Sequence, residues 1–541
     1  MKRFALILTL LTLMPLACKN APKAPSLNSG DKAEPIIKED DGKKFEGKEI
    51  EASSSFKEIE CASEPTVGLR AWRRLSNVEF ANTVASVFGV TIDSSTLTSD
   101  ISHIDVYDTM MVTGNYVDKQ RLGAYRTKAK EIAAKVDIAK VFPCLASGAT
   151  CVTSTLPKLG ASAWRRPLEA AEVTNLVKVF TLTSASVGNE TAARFVVQAL
   201  VMAESFLYRS ELGRSVNGTY SLTSWEIASA LSYAILRRPP DATLTALAQS
   251  GALSKTAEIK KQIARLLADP LAKATWKDFA SMWLDTKKIQ QSERPNNKEF
   301  TAALKTAAQQ EAGDLFADVM SKASGSNLAA FYTADSVPAS DATKTVYDVT
   351  PVSGQVKFKD ADRRGPLGLA SYLIQTAADD HTSPPKRGAF VIERMMCSQF
   401  SNFDTIPLPK KSGTQTYHDI YLGLEGGSCG GCHKPMNQIG FMFEGFDMMG
   451  RARTEAEGVA IKIDSTPNLD GAEVPVKTVA EFTTALAHSK QGQECFARQI
   501  FRYGFGRKEL TPQPIISAKP VTIKVQHSVR WKKKKAILKP C

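Results

Sequence analysis

The sequence predicts a mainly α, multi-domain chain, and three observations carry that expectation. Its 541 residues are several times the usual domain length of about 100–200, so two to four folded units are expected. Its 43% apolar content is that of proteins which bury substantial cores. Capped helix starts recur along most of the chain, while the period-two alternation of strands is scarce.

The chain opens with Lys2-Arg3, an apolar stretch from Phe4 to Met14, and Pro15-Leu16-Ala17 ahead of Cys18. This reads as a cleaved export signal over residues 1–17, too short to span a bilayer. A cysteine at the cleavage point resembles a bacterial lipoprotein signal, so Cys18 is expected to be lipidated and to become the new N-terminus. Proline three residues before it departs from the usual leucine, and the plain alternative is an ordinary signal peptide cut nearby. Either reading places the chain outside the cytoplasm, at the cell envelope or surface of a bacterium. Residues 18–65 are rich in Lys, Glu, Asp, Ser and Pro and poor in large apolar residues, the composition of a flexible tether. No run of 18 or more apolar residues follows, so membrane contact is expected through the lipid anchor.

Helical signals then follow in order. An N-terminal helical domain is expected over 66–150, where Ser76-Asn77-Val78-Glu79 is a capping box opening an amphipathic stretch through Phe80, Val84, Val87 and Phe88. Trp72-Arg73-Arg74 recurs as Trp164-Arg165-Arg166 ahead of Pro167, which reads as two similar helix entries or a repeat. A second helical domain over 151–215 carries helical-period apolars at Phe195, Leu200, Phe206 and Leu207. A central helical domain over 216–335 starts with Thr223-Ser224-Trp225-Glu226, continues after an Asp241 cap and a Ser254 start, and includes a long alanine-rich helix from Asn297 to Ala323. Its aromatic stripe of Trp276, Phe279 and Trp283 has the spacing of a buried helix face. From Gly325 to Asp362 the chain turns irregular and polar, predicting a linker or surface loop, and 336–410 reads as linker plus a short helical domain.

Cys429-Gly430-Gly431-Cys432-His433 is the motif with chemical content. Two thiols three positions apart, followed by an imidazole, suit covalent attachment of haem c: the thiols add across two vinyl groups and His433 takes the iron as axial ligand. With 9 Cys and 6 His in the chain, the motif is expected by chance only roughly two times in a thousand. A redox disulfide belongs at a helix start in a βαβ unit, which the surroundings do not resemble, and a structural zinc site needs a second Cys/His pair. The folded part is therefore expected to close, over 411–508, in a cytochrome c-like haem domain holding one covalent haem. Ile439, Phe441, Met442, Phe443, Phe446 and Met448 offer either an apolar wall for it or plain core packing, and Arg451 and Arg453 are candidates for its propionates. No methionine follows Met449, so the sixth ligand is sought among His488, ranked first, His381, His418, Met395 and Met396, or is an open position.

Cys144 with Cys151 and Cys397 with Cys495 are the candidate disulfides of an exported chain; Cys61 and Cys541 have no evident mate. The net charge of +13 does not signal nucleic acid, because +9 of it lies between Arg507 and Cys541, leaving a near-neutral body.

Several blocks fall in a recognisable series: Trp72-Arg73-Arg74-Leu75-Ser76, Trp164-Arg165-Arg166-Pro167-Leu168, Leu231-Ser232-Tyr233 with Pro240-Asp241, Leu266-Leu267-Ala268-Asp269, Thr382-Ser383-Pro384 with Arg387-Gly388, and Cys429 to His433 with Ile439-Gly440-Phe441 and Gly450-Arg451. Over about residues 66 to 508 the chain resembles the planctomycete-type multidomain cytochrome c proteins, exported bacterial proteins built of adjoining domains of unknown function. The resemblance implies haem c and no established reaction. The tail over 509–541, with Pro512, Pro514, Pro520 and Lys532 to Lys535, departs from the pattern. The expectation is an exported, lipid-anchored monohaem c-type cytochrome relaying electrons to a redox partner protein in the envelope. A haem oxidoreductase of peroxidase type with an open sixth position, and a structural or interaction surface lipoprotein, are the alternatives.

Overall fold

The capping box at Ser76 is made as the sequence predicts. Its hydroxyl accepts from the Glu79 amide, the Glu79 carboxylate returns to the Ser76 amide, and helix α1 (Asn77–Phe88) ends at Gly89 in the left-handed region. This computed structural model describes residues 70–509, apart from 101–106, 111–115, 217–218, 323–326, 360–361, 399–410, 427–428, 462 and 464. The export signal, Cys18, the tether and the basic tail lie outside the described residues.

The architecture is mainly α, with strands confined to short pairs. Helices α2 (Lys119–Lys135), α3 (Ala149–Trp164) and α4 (Ala170–Met202) pack with α1 around one core that contains Phe80, Ile132, Leu156, Val197 and Phe206. Gly188, at φ 76, breaks α4 into two helical runs. The Trp72-Arg73-Arg74 reading as a helix entry is overturned. Ala71–Arg74 is a strand, β1, paired antiparallel with β2 (Tyr208–Glu211), whereas Trp164 closes α3 and Arg165 takes φ 61. The two tripeptides are not a repeat. What they share is a buried arginine: Arg73 reaches Glu211 at 2.9 Å, and Arg165 donates to the carbonyls of Ser205, Phe206 and Tyr208.

Four helices follow as the sequence predicts: α5 (Ser224–Leu236), opened by the Thr223/Glu226 capping box, α6 (Ala242–Gln249), capped by Asp241, α7 (Thr256–Leu267) and α8 (Ala272–Trp283). Ser254 ends a 3-10 turn instead of opening α7, which starts after Lys255. The alanine-rich helix α9 (Ala302–Ser321) begins at a Thr301 cap, later than Asn297, and lies along α8.

The stretch expected as linker or loop is core. Helix α10 (Leu328–Tyr332) and the pair β3 (Ser336–Pro338) and β4 (Gln355–Lys357) bring Phe331, Tyr332, Val337 and Val356 to complete burial. Their few apolar residues are too widely spaced for a periodic signal, yet all face one cluster. That cluster runs from Tyr107 and Phe279 through Phe316 and Leu373 to Phe496 and Tyr503, so the segments before and after residue 336 share a single core. Within it, Glu311 of α9 is buried, accepts a 2.6 Å hydrogen bond from the Tyr347 hydroxyl and also accepts from the Ser371 amide. Burial pushes its carboxyl up to about 7.

A buried ionic network spans the first and central helical groups. Arg237, which ends α5 at φ 52, donates to Asp108, to Asp278 at 2.9 Å and to Ser76 Oγ at 2.9 Å. No helix among the described residues is long and apolar enough to cross a membrane.

Candidate haem-attachment site

Two helices position the CxxCH motif. Helix α11 (Pro384–Arg394) takes Pro384 in its first turn, where the prolines read as a rigid turn ahead of a helix, and α13 (Gly430–Gly440) has Cys429 at its cap position. They lie backbone to backbone. A Cβ on Gly388 would stand 1.8 Å from the Met436 carbonyl oxygen, and one on Gly440 would stand 1.9 Å from that of Pro384. Only glycine permits this approach.

Arg387, fully buried on α11, clamps the chain that leaves α13. Its guanidinium donates to the carbonyls of Phe443 (2.5 Å), Phe446 (3.2 Å) and Asp447 (3.0 Å), and lies 3.4 Å from Glu444. Glu444 also accepts from Thr382 Oγ1 at 2.9 Å and Arg453 at 3.0 Å. Burial lowers the Arg387 guanidinium from its usual value, an effect that Glu444 opposes. These contacts give the Thr382…Arg387-Gly388 signature a physical role: it fixes the segment on which the motif stands.

On α13, positions 429, 432, 433 and 436 lie on one face, spaced at three and four residues. Met436 sinks into the core and Cys432 packs at its edge, while burial decreases toward the helix start. Cys429 and Cys432 are both free thiols, half-buried. By contrast Cys144 is bridged to Cys151, and Cys397 to Cys495. His433 Nδ1 is buried and has no hydrogen-bond partner. Desolvation lowers the imidazole from its ordinary value, and the Glu425 carboxylate opposes that shift. Among the described residues no three His, Cys, Asp or Glu are grouped to hold a metal ion, so the motif is not part of a closed zinc site there. Two free thiols beside an imidazole with an unsatisfied ring nitrogen are a donor set that fits haem c.

The other expected residues fall in different places. His488 is exposed at the end of α14 (Val479–His488), with Nδ1 2.8 Å from the Thr484 carbonyl; α14 packs on α10 and on α15 (Lys490–Phe505). The helix that does lie against both α11 and α13 is α12 (Tyr417–Gly423). It brings two other histidines to this side: His418, ring-to-ring with Phe441 at 4.2 Å, and His381, stacked 3.6 Å from Tyr417 with Nε2 3.1 Å from the Tyr421 hydroxyl. Met395 and Met396 are core residues. Arg451 pairs with Glu299, and Arg453 with Glu444. Ile439, Met442, Phe443 and Phe446 pack inward as core. Met442 and Phe446 also line a cleft of about 660 Å³ with Arg453, Ile463, Lys477 and Val479; Cys429, Cys432 and His433 are not among its lining. Sequence reasoning missed Glu425, whose only signal was proximity in sequence to the motif; Glu444 stood in the family pattern but without a role.

Four family models match successive stretches of the chain: PSD3 (DUF1587) at residues 73–138, PSD5 (DUF1595) at 151–211, PSD4 (DUF1592) at 222–349 and PSCyt3 (DUF1588) at 363–456. Each is described as a protein of unknown function, and together they cover about two thirds of the chain. The name of the last, which spans the CxxCH motif, points to a c-type cytochrome. A mainly α chain with a cytochrome c-type segment near its end is thus the class that fold and motif define. In this adjoining order the four matches follow the pattern of the planctomycete-type multidomain cytochrome c proteins, which the chain resembles. No curated protein and no solved structure matches it.

Proposed function

We propose that the protein is an exported, lipid-anchored c-type cytochrome that carries one covalent haem and relays electrons at the cell envelope. The observation that carries this reading is the state of the motif. Its two thiols stay free where the other described cysteines are bridged, beside an imidazole with a buried, unpartnered nitrogen. Bound there, haem c supplies a one-electron carrier. Cys429 and Cys432 would hold it through thioether bonds, and His433 would supply a nitrogen ligand to the iron. The glycine contact between α11 and α13, with the Arg387 clamp, keeps those three side chains on a rigid base. The helical body serves as scaffold and docking surface for a redox partner protein, and lipid on Cys18 supplies the membrane contact.

The test is a reduced-minus-oxidised spectrum with a pyridine haemochrome assay on protein made with a haem c maturation system. A low-spin c-type spectrum is expected. A high-spin, ligand-accessible c-type spectrum would favour the peroxidase-type reading, and no covalent haem would leave a surface lipoprotein.

A further inference from the structure

Two buried polar atoms at the entrance of α13 have no hydrogen-bond partner: His433 Nδ1 and Glu425 Oε1. A Cβ on Gly430 would lie 2.2 Å from the Glu425 carbonyl oxygen. Glu425 thereby stands beside the first turn of the helix that carries His433. An orphaned acceptor and an orphaned ring nitrogen, each shielded from water, are costly separately and complementary together.

We propose that Glu425 is the positioning residue of the axial histidine: when His433 Nε2 binds iron, Nδ1 keeps the ring proton and donates it to Glu425 Oε1. This rests on the haem reading above. An imidazole hydrogen-bonded to a carboxylate is a stronger donor than one bonded to a neutral acceptor, and the orientation and tautomer of the ring are fixed at the same time. The ferric state is then favoured over the ferrous.

The experiment uses the full chain with haem attached and compares wild type, Glu425→Gln and Glu425→Asp. Covalent haem content is measured first, then the midpoint potential, then the Fe–His band in the resonance Raman spectrum of the photolysed ferrous carbonmonoxy form. Glu425→Gln is expected to shift the equilibrium about tenfold toward ferrous, which is ~59 mV upward for one electron, and to lower the Fe–His frequency. Glu425→Asp, retaining the carboxylate, is expected to recover much of both. A Glu425→Gln protein with full haem content but unchanged potential and band overturns the proposal. So does a changed potential with an unchanged band, which would mark a through-space charge effect. Absence of covalent haem in the wild type removes the haem reading itself, and the proposal with it.

Discussion

At the scale of single residues, three positions have consequences that can be measured. Gly388 and Gly440 face carbonyl oxygens at distances no Cβ tolerates, and backbone cannot swing aside as a long side chain can. Gly388→Ala or Gly440→Ala is expected to cost about 1–3 kcal/mol, toward the upper end, read as a lower denaturant midpoint. Glu311 sets a pH dependence. Its unfolded carboxyl titrates near 4.5 and its folded one near 7, so the native state binds the extra proton between those values. Stability therefore falls as pH rises from about 4.5 to 7 and levels off above, by ~3 kcal/mol. Glu311→Gln should flatten that slope in urea titrations across the window. The CxxCH motif was legible because its chemistry is local, three residues of two types at fixed spacing. The roles of Glu425 and Glu444 were not, because a carboxylate gains its role from what faces it in space.

Among the elements, local signals read well and distant ones poorly. The capping boxes at Ser76 and Thr223 and the Asp241 cap are decided within one helical turn, and all are made. β1 depends on a partner strand more than a hundred residues away, so its tripeptide looked like a helix entry. Segment 328–357 is buried by neighbours from other helices, which its own composition does not foretell. The two disulfides act at this scale. The Cys397–Cys495 bridge spans 98 residues and Cys144–Cys151 spans 7. Loop-closure entropy predicts ~4.7 kcal/mol lost on breaking the first and ~2 kcal/mol on breaking the second. Paired Cys→Ala variants compared by thermal unfolding would check both, and equal losses would contradict the ordering.

For the molecule as a whole, shared burial matters more than the order of domains. The core around Phe279, Phe316 and Phe331 also takes in Met436, Phe443 and Tyr503, so the central helices furnish much of the wall behind the CxxCH helix. Residues 411–509 produced alone are expected to lack cooperative unfolding, a point circular dichroism melts would settle. Arg237 has the same reach in the polar sense, tying α5 to Asp108, Asp278 and Ser76. Arg237→Ala leaves buried carboxylate charge uncompensated and is expected to cost about 3–5 kcal/mol, measured by denaturant unfolding.

The bridge from Cys397 to Cys495 encloses Cys429 and Cys432 in sequence. These four thiols can pair off completely in three ways, none of which leaves a thiol for haem; attachment needs 397–495 bridged while 429 and 432 stay free. Under the haem reading proposed above, maturation is a sorting problem: one pair must be oxidised while the other is spared. A chain that joins Cys397 to Cys429 has lost a tether for the cofactor and has its late helices unstapled. On that reading the timing of oxidation, as much as the final fold, decides how much of the chain becomes coloured protein.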